Sequence, residues 1–182
     1  MTDFDARYAR YRETVERALD ALPMMGAPER LREAMRYSLL SGGKRLRACL
    51  LLAASDAAGG DEHDAMPFAC AIEMIHAYSL IHDDLPAMDD DDLRRGKPSN
   101  HIRFGEATAI LAGDGLLNGA FEVMSASDHP RALRALREIA RAAGMGGMIA
   151  GQVIDMQSEH LSPAPNTVRE MYLGKTAALF SA

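Results

Sequence analysis

The sequence predicts an all-α bundle. Three observations carry that expectation. Apolar residues recur at helical spacing through most of the chain, Gly and Pro punctuate it at short intervals, and no segment alternates as a half-buried strand would. Composition agrees: Ala, Leu, Met, Glu and Arg are plentiful, Trp is absent, and aromatic residues make up 5% of the 182 positions.

The elements follow in order. Residues 4–22 set Phe4, Tyr8, Tyr11, Val15, Leu19 and Leu22 at helical spacing. Pro28 suits the first turn of a helix through RLREAMRYSLL, which Gly42 and Gly43 close. A Leu- and Ala-rich helix covers 45–57 and stops at Gly59 and Gly60. Pro67 opens the next, which runs to about Asp84. Further helices cover 105–126, 130–143 and 145–159. Pro163 and Pro165 mark a connection, and 166–180 forms the last helix. Long helices with short connections make a bundle. Two of them, GEATAILAGDGLLNGA and AAGMGGMIAGQVI, are crowded with small residues, which either permit close helix packing or leave room for a ligand.

Several function classes are excluded at this stage. A net charge of −6 gives no general attraction to nucleic acid or to an anionic membrane. The 48% hydrophobic fraction excludes a disordered chain, and no apolar run approaches the roughly 20 residues of a membrane span. Cys49 and Cys70 lie in apolar surroundings, as reduced buried thiols do. The charged, amphipathic N-terminus is no signal peptide. The expected setting is the cytoplasm.

Chemistry concentrates at IHDDLPAMDDDDLRRGKPSNH, residues 81–101. Asp83, Asp84, Asp89, Asp90, Asp91 and Asp92 are followed at once by Arg94, Arg95 and Lys97. Helical spacing puts His76, Ser79 and Asp83 on one face. Asp83 and Asp89 would lie about 120° apart on a regular helix. Pro86 removes a backbone donor and disfavours helix at Leu85, so a distorted turn can aim Asp89 back towards Asp83. Oxygen-only donors favour Mg²⁺, Ca²⁺ or Mn²⁺ over zinc. An EF-hand is excluded because DDLPAMDDDDLR lacks the sixth-position Gly and the twelfth-position Glu. A solvated acidic turn paired with Arg94 and Arg95 is the alternative. A second cluster, SGGKRLRACLLLA, puts Lys44, Arg45 and Arg47 after two glycines at a helix start, where an anion is favoured. It lacks the Walker A spacing. A cationic pocket beside a carboxylate–metal pocket suits two phosphate-bearing substrates, one of them held through Mg²⁺.

GGKRLR, EMIHAYSLIHDDLPAMDDDDLRRGKPSNH, FGEATAILAGD, GQVIDM and GKTAALF occur in the order seen in trans-isoprenyl diphosphate synthases, and the sequence resembles the bacterial farnesyl diphosphate synthases among them. The resemblance implies a helical isoprenoid synthase bundle, of which residues 1–182 would be the N-terminal portion. It also implies condensation of isopentenyl diphosphate with dimethylallyl or geranyl diphosphate, Mg²⁺ as cofactor with Mn²⁺ able to stand in, and a homodimer. Asp83 and Asp89 would then be metal ligands, with Asp84 and Asp155 in the metal set. Arg94 would grip the allylic diphosphate, and Arg95, Lys44, Arg47 and His76 the isopentenyl diphosphate. Lys175 would contact the allylic diphosphate and Thr176 the developing cation, where oxygen dipoles stabilise positive charge. Gln152 would line the same cavity. Tyr78 and Ser79, one turn before Asp83, would set product length.

The family's second aspartate-rich motif is absent. After Asp155 the only acids are Glu159 and Glu170, and GKTAALFSA ends where a helix should continue. The expectation is therefore an incomplete domain, inactive by itself. Two alternatives remain: a class I terpene cyclase, against which GGKRLR argues, and a non-catalytic chain that binds diphosphate or pairs with a partner.

Overall fold

The computed structural model describes residues 3–159 and 161–182 and is all-α apart from one two-residue hairpin. It divides into two compact units, the first ending at Ser127 and the second running from Asp128 to Ala182.

In the first unit α1 (Asp3–Asp20), α2 (Glu29–Leu39) and α3 (Leu46–Ala57) lead to α4 (Glu62–Asp83). The hairpin β1 (Leu93–Arg94) and β2 (Lys97–Pro98), α5 (Asn100–Phe104) and α6 (Glu106–Ser125) follow. The fully buried Val15 and Leu19 of α1, Leu39 of α2, Leu52 of α3, Ile75 and Ile81 of α4, and Leu116 and Met124 of α6 form the core. α4 is buried on every side, as a helix apolar all round must be, and packs on α1, α2, α3 and α6. The small residues of α6 serve that packing. A β-carbon at Gly119 would fall 3.0 Å from Met74 Cε, and one at Gly115 would fall 2.8 Å from Met35 Sδ. Here close packing is the outcome, and no ligand space is needed to explain these glycines.

Three expectations need correction. α4 starts at Glu62, not at Pro67, because Asp61 caps it by accepting from His63 N at 2.7 Å. Pro67 deprives the His63 carbonyl of its partner, but His63 sits at the exposed helix start where water can replace it. No segment of the sequence alternates as a strand would, yet the residues after Asp92 pair Leu93 with Pro98 and Arg94 with Lys97. Arg95 (φ 55°) and Gly96 (φ 75°) make the two-residue turn with both central φ angles positive, which suits a twisted hairpin. Finally, a short α5 precedes α6. Its Asn100 is buried and donates to Ala34 O and Ser38 Oγ, both at 2.8 Å.

Arg45 changes role as well. It is 6% exposed and takes the N-cap position of α3 with φ 49°, its side chain turned into the fold. It donates to Glu16 Oε1 at 2.8 Å, to Leu39 O at 2.7 Å and to Glu73 Oε2 at 3.2 Å. Burial lowers its pKa, but bonding to Glu16 and the charges of Glu73 and Glu16 outweigh that and hold it above the ordinary value. Arg45 is a structural cation and no part of an anion pocket.

The second unit contains α7 (Ala132–Ala143), α8 (Met148–Ser158) and a long final helix. The last is α9 (Pro165–Tyr172), a π-helical stretch (Leu173–Ala177) and α10 (Ala178–Ser181). The expected regular helix over 166–180 is thus widened by one loop of π geometry. Within that stretch Gly174 meets Gly151 of α8 so closely that a β-carbon on Gly174 would sit 2.9 Å from Gly151 Cα.

Candidate active site

The acidic turn is built by the backbone. α4 ends at Asp83, as Pro86 requires, and the chain then folds back on itself. Asp89 N donates to Asp83 O at 2.9 Å, Met88 N to Leu85 O at 2.8 Å, and Asp91 N to Asp84 O at 3.2 Å. Six residues apart in sequence, Asp83 and Asp89 therefore share a backbone hydrogen bond. Asp83 is half-buried and Asp89 exposed, while Asp84 is only 2% exposed. Asp84 turns away to accept from Arg94 Nε at 2.9 Å and from Arg94 Nη2. Asp90, Asp91 and Asp92 are exposed, with Asp91 3.4 Å from Arg94 Nη2.

Among the described residues, no three of His, Cys, Asp and Glu gather as a ready-made metal cage. The donor set nonetheless fits Mg²⁺. That ion takes one or two carboxylates, keeps several waters and completes its octahedron with substrate phosphates. Asp83 and Asp89 offer two carboxylates on accessible, adjacent backbone; a cage needing Asp84 as well is not formed.

Cationic groups gather beside this turn. A β-carbon at Gly43 would fall 2.9 Å from Arg95 Cζ, so the hairpin arginine lies directly on the GGKR loop. The loop is fixed from α1, where Tyr8 donates its hydroxyl to Lys44 O. Lys44 is exposed and Arg47 half-buried. Burial lowers the Arg47 and Arg95 pKa values below the arginine norm, with Glu73 opposing the fall in both and Arg45 adding to it at Arg95. His76 responds more strongly. Burial, then the positive charges of Arg47, Arg95, Arg45 and Arg94, push it down to about 3, so the imidazole is neutral near pH 7. Arg47, Arg94 and Arg95 therefore share one electrostatic neighbourhood with His76, while Lys44 stands exposed on the loop that Arg95 touches. Sequence reasoning missed Glu73, the buried counter-charge that this neighbourhood shares.

The His76 shift has a measurable consequence. An unfolded chain protonates this residue near pH 6.5, the fold only near 3. Between those values the unfolded state binds more protons, so stability rises with pH and is lost on acidification. The urea midpoint should fall between pH 7 and pH 5, and His76→Gln should flatten that fall. Identical slopes for both proteins would show that the imidazole is not held neutral.

One turn before Asp83, Tyr78 is buried and Ser79 half-buried, with Ser79 Oγ donating to His76 O at 2.9 Å. The Tyr78 ring stands edge-on to His82, centroids 5.2 Å apart. His82 meets Ile110 O at 3.0 Å and occupies the gap left by Gly113, where a β-carbon would lie 3.1 Å from its Cε1. His82 escaped the sequence reading, although its i+4 spacing from Tyr78 was a signal. In the second unit, Lys175 Nζ donates to Asp155 Oδ2 at 2.5 Å. Gln152 is half-buried and Thr176 exposed on the π stretch. Asp155 thus stands as the partner of Lys175 within its own unit.

Comparison with known proteins agrees with the motifs. The family model described as Polyprenyl synthetase matches residues 28–182. The large subunit 1 of a heterodimeric chloroplastic geranylgeranyl pyrophosphate synthase of Arabidopsis thaliana is 51% identical, covering 93% of this chain and 48% of that protein. The farnesyl diphosphate synthase of Bacillus subtilis is 49% identical, covering 92% and 59%. The crystal structure of an FPP/GFPP synthase from Zymomonas mobilis superposes with a TM-score of 0.88 at 40% identity, covering 96% of this chain and 66% of that one. The chain spans about half the length of the curated relatives it matches. Among the described residues no helix is long and apolar enough to cross a membrane. The chain belongs to the polyprenyl synthetase family, whose members matched here are prenyltransferases.

Proposed function

We propose that this segment provides the isopentenyl diphosphate pocket and the first metal-binding motif of a trans-prenyltransferase that forms farnesyl diphosphate. The observation that carries the proposal is the folding of Asp89 N onto Asp83 O beside an arginine hairpin that rests on the GGKR loop. Lys44, Arg47, Arg95 and neutral His76 bind one diphosphate; His76 can add a hydrogen bond without adding charge. Arg94 holds the allylic diphosphate, and Asp83 and Asp89 hold Mg²⁺, with Mn²⁺ as a substitute. When bound, the metal neutralises pyrophosphate as it leaves. Within the second unit Lys175, held by Asp155, is a diphosphate-binding cation, and the oxygen of Thr176 favours developing positive charge. Homodimerisation belongs to the same proposal, and the exposed Ile110 and Leu111 of α6 support it.

The test is turnover with isopentenyl and geranyl diphosphates, using this segment joined to the part of the Bacillus subtilis relative that it does not cover. Farnesyl diphosphate formed only with Mg²⁺ or Mn²⁺ is expected. A cyclic hydrocarbon, or no dependence on isopentenyl diphosphate, would contradict the assignment.

Product length follows from the same face of α4. Tyr78 is bulky enough to close a pocket below Asp83, and Ser79 small enough to leave some room. Tyr78→Ala should shift products beyond C15 and Ser79→Phe should shorten them, read by chromatography of the dephosphorylated products. Unchanged distributions in both would remove this face from length control.

A further inference from the structure

We propose that Asp84 is a positioning residue for Arg94, holding the guanidinium by one edge so that its other edge is presented to a diphosphate. This rests on the diphosphate reading above. Four observations point the same way. Asp84 is 2% exposed, whereas Asp83 and Asp89 keep accessible surface. A hydrated Mg²⁺ needs carboxylates it can reach with its waters and phosphates still attached. The cavity that Asp84 and Arg94 line with Tyr37, Ser38, Ser99 and Asn100 measures about 30 Å³, room for a water and not for a diphosphate. Asp84 therefore faces the packing side of the hairpin.

The second pair of observations concerns Arg94. Its Nε and Nη2 both donate to Asp84 Oδ1, which fixes the plane of the guanidinium from one edge. Among the described residues no partner takes the Nη1 donors, and the side chain is one-third exposed, so the opposite edge is offered outward. The hairpin backbone is pinned to match: Ser99 N donates to Asp92 O at 2.8 Å, and Tyr37 donates its hydroxyl to Pro98 O at 2.7 Å. A buried carboxylate holding an arginine by one edge presents the other edge, already oriented, to an anion. The order of bonds is substrate phosphate to Arg94, and Arg94 to Asp84.

The experiment is calorimetric titration of the 182-residue chain with inorganic pyrophosphate, with and without Mg²⁺. Asp84→Asn should weaken binding about tenfold in both conditions, leaving the gain from Mg²⁺ unchanged. Asp83→Asn should instead erase that gain. Added to Arg94→Gln, Asp84→Asn should weaken binding no further. If Asp84→Asn does not fold, Asp84→Glu replaces it, because moving the charge by one methylene disturbs the arginine while keeping the carboxylate. Loss of the Mg²⁺ gain in the Asp84 variant, or an effect that adds to Arg94→Gln, would overturn this inference alone. No pyrophosphate binding by the unsubstituted chain in either condition would overturn it together with the diphosphate reading.

Discussion

Arg45→Met should destabilise the chain by about 3–5 kcal/mol, the range for removing one partner of a buried ion pair. Glu73 is 3% exposed and has Arg45 as its hydrogen-bonded cation, so the variant leaves a buried carboxylate with only the more distant charges of Arg47 and Arg95. The loss also frees Glu16 and strips the Leu39 carbonyl of its donor. Methionine preserves much of the volume, which separates the charge effect from a cavity effect. Urea unfolding followed by circular dichroism reads the change. Restoring stability by adding Glu73→Gln would confirm the stranded charge as the cause, and a loss below about 1 kcal/mol would show the pair to be dispensable.

Gly151→Ala should be the most damaging single-methyl change in the second unit. The new β-carbon would lie 2.6 Å from both Gly174 C and Lys175 Cα, and closer still to Lys175 N. These are backbone atoms, so no rotamer change relieves the overlap, and α8 must move from the π stretch. Overpacking of this kind costs about 1–3 kcal/mol. Because Lys175 carries the bond to Asp155, the displacement should also break that pair. Limited proteolysis of the second unit checks it: faster cleavage around 173–177 than in the unsubstituted chain is expected, and equal rates would show that the contact can relax.

Most helices were legible because each carries its own apolar period and its own stops. Pro86 even announced the end of α4 and the return of Asp89 to Asp83, since a missing donor and a steric clash act locally. What was hidden depends on distant residues. GGKR presents four polar or flexible residues in a row, and nothing local says that Arg45 turns inward to Glu73, 28 positions away, while Lys44 stays outside. The Leu93–Pro98 hairpin has two-residue strands, too short for an alternating pattern, and its turn relies on Arg95 accepting a positive φ beside Gly96. Pro67 misled because proline normally marks a first turn, yet here the Asp61 cap starts the helix earlier. The π stretch lies where Gly174 meets Gly151, a contact between helices that no single-helix period records. The same holds for the site: the return of Asp89 to Asp83 was readable, and the burial of Asp84 against Arg94 was not.

Asp83 and Asp89 are proposed to bind a diphosphate through a divalent metal. Titrating the chain with pyrophosphate, with and without Mg²⁺, tests it most directly, with Asp83→Ala as the comparison. Two carboxylates alone hold Mg²⁺ weakly, so the metal and pyrophosphate should bind together. The expected result is markedly tighter pyrophosphate binding with Mg²⁺ in the unsubstituted chain and little or no such gain in Asp83→Ala. Equal affinity with and without Mg²⁺, or a full Mg²⁺ gain in Asp83→Ala, would contradict it.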